Sequence, residues 1–200
     1  MGHLREGLLT VARRFESTRR GVTATLDDDE RALLAGLLAE VAELLDDGST
    51  PSADPLEALV GIGGPTTPPA DPAVARLLPQ GAKDDPDAAR EFRRLTEKGL
   101  RARKREALER ARATLARPGA FVLDPDEAHA WLVSLTDVRL VLAERLGLRA
   151  DDDAELVLAE AASRDPEDPR VWMASVYDFL TWLQESLVSA LTSRRGRAAR

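Results

Sequence analysis

The sequence predicts a mainly α protein: a single-domain bundle of about five helices with a small N-terminal β-hairpin. Three observations lead there. Apolar residues recur at spacings of three and four through several long segments. Two short β-prone runs flank a turn near the N-terminus. Proline and glycine gather in one stretch, residues 48–72. Composition agrees, because 200 residues with 44% apolar and 32% charged side chains suit one globular domain. Folding a chain of that length buries roughly 70% of its unfolded surface, so no disulfide or metal staple is required. The domain is expected over residues 1–192. Residues 193–200, SRRGRAAR, read as a basic, disordered tail.

Each element has its own signal. Residues 8–25 hold TVARRF and GVTATL around STRRG, with Gly21 as the turn residue, which predicts the hairpin. A hairpin of that size must pack on helices to be stable. The first helix follows, with Asp27 to Asp29 as N-cap candidates and an apolar face of Leu33, Leu34, Leu37, Leu38, Val41, Leu44 and Leu45. Gly48 is its expected stop. Residues 48–72 form a long loop whose apolar insert, Leu56 to Ile62, is expected to pin it to the core. DPAVARLLP reads as a helical turn closed by Pro79.

The longest helical pattern covers 86–116, with Pro86 in its first turn. Its apolar stripe, Phe92, Leu95, Leu100, Ala107, Ala111 and Leu115, is narrow and discontinuous. A third short strand is expected at Phe121–Leu123. Asp124, Pro125 and Glu127 then form a capping box for a helix whose buried positions are Ala128, Trp131, Leu135, Val138, Leu142 and Leu146, with Gly147 as its cap. DDDAELVLAEAAS adds a short helix. The final helix is apolar on most sides, including Val171, Trp172, Phe179, Leu180, Leu183 and Leu187, and so is expected to be buried. Its polar stripe is Ser175, Asp178, Glu185 and Ser189.

Charge and residue usage exclude several functions. Net charge is −7, which repels phosphate polyanions and anionic membranes. The absence of cysteine removes disulfides, thiolate metal sites and cysteine nucleophiles, and fits a cytoplasmic location. The N-terminus lacks the apolar core of a signal peptide, and no run of about 18 apolar residues exists for a membrane helix. Lysine occurs only at Lys83, Lys98 and Lys104, isoleucine only at Ile62, and asparagine is absent. That bias points to a GC-rich genome, so an arginine excess alone does not argue for phosphate binding.

The segment 90–117 nevertheless holds eleven cations against four anions, a local net of +7. Arg90, Arg94, Lys98, Arg101, Arg105 and Arg112 follow at spacings of four, four, three, four and seven, which lines one helix face. A phosphate-binding helix has this form, but no Asn or Gln accompanies it for reading base edges. Acidic helix starts elsewhere are available to balance it. The expected reading is therefore a solvated, partly ion-paired face, with a protein-partner surface as the next candidate and nucleic acid disfavoured.

Catalytic and cofactor signals are missing. There is no HExxH, and His3 and His129 stand apart. DDDAELVLAEAA lacks the glycine and terminal glutamate of a calcium loop. GIGGP is not followed by a lysine with Ser or Thr, and no G-x-S-x-G elbow occurs. No metal, no cofactor and no enzymatic activity are expected. One oddity remains: Asp137 and Arg139 interrupt an apolar helix and Asp178 interrupts the last one. Buried charges need partners, so Arg139 is expected to pair with Asp178, or with Glu185, inside the bundle.

FRRLTEKGLRARK, WLVSLTDVRLVLAERLGL and VYDFLTWLQESLV, preceded by DPLEAL and DPAVARLLP, resemble an actinobacterial family known as a domain of unknown function, number two thousand and seventeen in its series. The resemblance runs over nearly the whole chain, and GIGGPTTPPA is the part least like it. The family has no catalytic residues to carry over. Its members are often encoded beside the adaptor of the Clp protease, and some carry a transcriptional-regulator label. The resemblance thus implies a cytoplasmic, non-catalytic protein-interaction module, regulatory and linked to Clp-type proteolysis, with a Clp component as partner and a homodimer compatible. The alternative is a nucleic-acid-binding transcriptional regulator using the basic helix 90–117.

Overall fold

The computed structural model of the chain describes residues 13–46, 65–82, 84–149, 159–160, 165 and 168–198. Gly48, the Leu56–Ile62 insert, His3 and most of the segment expected as a short helix after 150 lie outside them. The described elements are β1 (Arg13–Ser17), β2 (Val22–Thr25), α1 (Asp28–Leu44), α2 (Pro72–Leu77), α3 (Pro86–Leu115), β3 (Phe121–Leu123), α4 (Pro125–Leu146) and α5 (Pro169–Ala198). This is the mainly helical architecture expected, with five helices among the described residues and the third strand in place.

The strands form one antiparallel sheet in the order β1-β2-β3. Ser17 pairs with Val22 and Val22 with Leu123, and the β1 ladder shifts register between Arg13 and Glu16. Gly21 turns the hairpin at φ 151°, where a Cβ would lie 2.8 Å from Val122 Cγ1 and 2.9 Å from the Leu123 carbonyl. Only glycine fits so close to a neighbouring strand. The outer edge of β1 does not stay open, because Phe15 N–H donates to Ser186 Oγ of α5 at 3.1 Å. A helix thereby covers an edge that would otherwise pair with another chain.

Local capping explains where the helices begin. Asp27 and Glu30 exchange side chain and backbone bonds at 2.8 Å each, and Asp124 and Glu127 do the same at 2.8 and 3.0 Å. Asp71 and Asp85 cap α2 and α3, each with proline next. Gly147 closes α4 in the left-handed conformation, φ 82°. Helix ends are finished by arginines from other elements. Arg31 donates to the carbonyls of Leu115 (2.7 Å), Arg117 (2.9 Å) and Gly119 after α3. Arg101 reaches the Leu45 carbonyl after α1 at 3.2 Å, and Arg76 the Leu148 carbonyl after α4 at 2.8 Å. Each places a cation on the negative end of a helix dipole and satisfies carbonyls the helix leaves open.

The core sits around α4, which packs against α3, α5, α2 and α1. All six positions expected to face inward on α4 are buried, and Trp131 and Leu135 are fully so. Trp131 meets Phe15 edge-on at 5.4 Å and stacks on Phe121 at 6.1 Å. Its indole N–H donates to Thr114 Oγ1 of α3 at 2.8 Å, so the ring is buried without an orphaned donor.

Two expectations about α5 need correction. The helix runs on to Ala198, so the segment read as a disordered tail from 193 is helical through that residue. Trp172 is exposed rather than buried, since α5 turns only one side to the core, through Val171, Val176, Leu180, Leu183 and Leu187. Ser175, Asp178, Glu185 and Ser189 lie on its exposed side, as their spacing indicated.

Candidate functional site

The apolar stripe read along α3 holds only in its second half. Ala111 and Leu115 are buried, as is Leu108, which the stripe did not include, whereas Leu100 and Ala107 are half-buried and Phe92 and Leu95 are 45% and 42% exposed. In the first half the inward positions belong to Arg93 and Glu97, 6% and 3% exposed. Glu97 accepts from Arg93 Nη1 at 2.9 Å and from Arg101 Nε and Nη2 at 2.9 and 2.8 Å. The carboxylate is thus neutralised twice, which makes its burial tolerable. One turn on, Lys104 Nζ lies 2.5 Å from Asp137 Oδ1 of α4. Asp137 is 1% exposed. Burial pushes its carboxyl above the usual range, and the lysine pulls back only in part.

The six cations singled out from spacing do share one flank of α3. That flank runs along the end of α1, and it is occupied. Arg101 is turned inward onto Glu97 and Leu45, and Arg105 reaches Asp46 at 3.5 Å. Arg90 pairs with Asp87, Arg94 with Glu91 at 2.7 Å and Arg112 with Glu109 at 3.7 Å. The Arg94 guanidinium holds Glu91 below the usual carboxylate range. On the rest of the segment, Arg110 pairs with Glu106 at 3.0 Å and Arg117 with Glu127, whose carboxyl is lowered by that arginine. Among the described residues of 90–117, Lys98 and Arg103 are the cations left without a carboxylate. The segment's four glutamates are already counted in its net of +7, and Asp46, Asp87, Asp137 and Glu127 answer four more charges, which leaves +3.

The open surface is on the opposite flank. At 100° per residue, Phe92, Thr96, Leu100, Arg103, Ala107 and Arg110 fall in one line along α3. They form one wall of two adjoining hollows of about 270 and 520 Å³ that share Leu100 and Arg103. Leu78, Pro79 and Gln80 face the first, and His129, Ala130 and Val133 of α4 face the second. Phe92 lies against Gly81 so closely that a Cβ there would sit 2.6 Å from the ring. Together they make a groove with an apolar floor, exposed Phe92 at one end, and Arg103 at the middle. It was missed in the sequence because Phe92 and Leu100 pass for core positions of an amphipathic helix.

Arg139 is not paired with Asp178 or Glu185, both of which are exposed. Its Nη1 donates to Gln184 Oε1 at 2.9 Å and its Nη2 to the Tyr177 hydroxyl at 3.2 Å, and its guanidinium stacks 5.1 Å from the Tyr177 ring centre. Position 178 points away from α4 on its helix, whereas 177 and 184, seven apart, share the facing side. No group of His and carboxylates suited to a metal ion occurs among the described residues. No helix among them is long and apolar enough to cross a membrane.

The chain belongs to the family described as Domain of unknown function (DUF2017), whose pattern matches residues 12–191. Proteins of Mycobacterium tuberculosis and Mycobacterium bovis named Oxidative stress regulator AosR are 32% identical to it over an alignment of 220 positions, covering 97% of this chain and 94% of theirs. No solved structure matches it.

Proposed function

We infer that this chain is a cytoplasmic, non-catalytic regulator that works by docking a protein partner in the groove beside α3. The observation that carries the reading is Arg103, a cation with no carboxylate, set over an apolar floor next to exposed Phe92. An amphipathic helix with an acidic residue opposite Arg103 has the chemistry for such a groove. The regulatory part of the reading is supported by the mycobacterial relatives, whose name makes them regulators of oxidative stress. A thiol switch is outside this chain's own chemistry, because none of its 200 residues is cysteine. A component of the Clp proteolytic system, suggested by the family's resemblance, is the first partner to try.

The test is capture from nuclease-treated native lysate, followed by calorimetry with the purified partner. Phe92→Ala with Arg103→Glu should abolish binding, and Arg94→Glu with Arg105→Glu, on the occupied flank, should leave it within about threefold. Loss in the second variant and retention in the first would overturn the groove. Recovery of nucleic acid with a steep salt dependence would replace this reading with the transcriptional one.

A further inference from the structure

Among the described residues, the arginine, lysine and carboxylate side chains in the walls of the groove beside α3 are paired, with two exceptions. Glu97 is held by Arg93 and Arg101, Lys104 by Asp137, and Arg110 by Glu106. Arg103 of α3 and Asp126 of α4 form no ion pair. Both are exposed and both line the larger hollow, so a docked molecule reaches them. The start of α4 does not occupy Asp126 either. Asp124 and Glu127 complete the capping box, and Glu127 also takes Arg117. Asp126 keeps a favourable place near the helix dipole but no partner of its own.

The two charges stand in a fixed order. Asp137 meets Lys104 and Trp131 meets Thr114, so α4 runs back along α3 and its first turn lies at the Arg110 end. Arg103 is midway along the groove, seven residues or about 10.5 Å from Arg110. Phe92 is eleven residues the other way, about 16 Å. The groove therefore offers an apolar end, a positive centre and a negative end. Seven residues are two helical turns, so a helix lying along α3 brings side chains two turns apart over both charges at once.

We propose that Arg103 and Asp126 select the partner: an amphipathic helix of another protein with a carboxylate over Arg103, a lysine or arginine about two turns away over Asp126, and its bulky apolar residues beyond the carboxylate, toward Phe92. This rests on the reading of the groove as a docking site and adds the charge order the partner must have. Apolar contact with the floor supplies the adhesion. An exposed ion pair changes affinity only a few fold, but a like charge in its place is repelled, so the order of charges discriminates between partners. A polyanion such as nucleic acid meets Glu106 and Asp126 beyond Arg103 and is repelled there.

Designed helical peptides of about 18 residues, the length of the groove, test it by fluorescence anisotropy at low ionic strength. All share one apolar end and carry one Lys and one Glu two turns apart. They are made in both chain directions, because the charges fix the order along the groove and not the direction of the backbone. The order Lys, Glu, apolar end should bind wild type at least about fivefold tighter than the order with the two charges exchanged. Arg103→Glu with Asp126→Arg should reverse that preference. If the double variant does not fold, Asp126→Asn serves. It should bind the peptide with Gln in place of Lys as tightly as the Lys peptide, which wild type should bind a few fold more tightly. Equal binding of both orders by wild type, with binding lost in Phe92→Ala, would overturn the selection and leave the groove standing. No binding of any peptide would overturn the helix as occupant, and lysate capture with Phe92→Ala and Arg103→Glu then decides separately whether the groove stands. Preference for a duplex DNA probe over every peptide would assign Arg103 to nucleic acid and overturn the proposal.

Discussion

Two stretches of α4 treat buried polarity in opposite ways. From Asp124 to Trp131 the polar groups are answered: the N-cap is a closed capping box and the Trp131 indole reaches Thr114. From Ser134 to Arg139 they are not. Ser134 Oγ, Asp137 Oδ2 and Arg139 Nε are all buried without a partner, three of the five such atoms among the described residues. The first stretch fixes the fold, and its demands are met within the chain. The second carries charge into the bundle with less than full satisfaction from the chain's own groups. The contrast separates a stretch whose polar groups are satisfied by its own cap and by Thr114 from one whose partners come from α3 and α5.

The largest effect should come from the closed stretch. Trp131→Ala removes a fully buried ring that contacts Phe15, Phe121 and Thr114. It should destabilise the fold by about 3–5 kcal/mol, measured by urea unfolding. A loss under about 1 kcal/mol would mean that this stretch is not the anchor.

An intermediate effect, with a pH signature, belongs to the open stretch. The Asp137 carboxyl titrates above its unfolded value because burial outweighs the help of Lys104. A folded state that holds the proton more tightly is favoured at low pH. That contribution is fully present below the unfolded carboxylate value and is lost as pH rises through the raised one. Asp137→Asn should flatten this decline, so that the variant's unfolding midpoint falls less than wild type's as pH goes from about 4 upward. Parallel curves for the two proteins would show that Lys104 holds Asp137 ionised throughout.

The smallest effect should come from α3's surface ladder. Arg110 pairs with Glu106 across a solvated turn, with both side chains largely exposed. Arg110→Ala should change stability by no more than about 0.5 kcal/mol, against the multi-kilocalorie change at Trp131. A larger change would mean that the cationic ladder, and not the α4 core, sets stability.

The legible parts of the chain were those governed by local rules. Asp27 with Glu30 and Asp124 with Glu127 announce their capping boxes three residues apart, and Gly147 announces its cap. The α4 face from Ala128 to Leu146 was readable because apolar burial alone sets it. The first half of α3 was misread because Arg93 and Glu97 are as buried as leucine would be, with Arg101 half-buried against them, and periodicity of apolar residues is blind to charged side chains. Asp137 and Arg139 were recognisable as misplaced charges, but their partners, Lys104, Gln184 and Tyr177, lie 33 to 45 residues away.

The sequence by itself determined the helix starts, the hairpin turn at Gly21, the apolar faces of α1 and α4, and the family. These depend on neighbours within about four residues, which the chain carries as spacing. Tertiary structure alone decided which flank of α3 is occupied by α1 and which is open, and which charges remain unanswered around Arg139. A guanidinium's state depends on the groups within a few ångströms, and helix packing chooses those groups from distant parts of the chain.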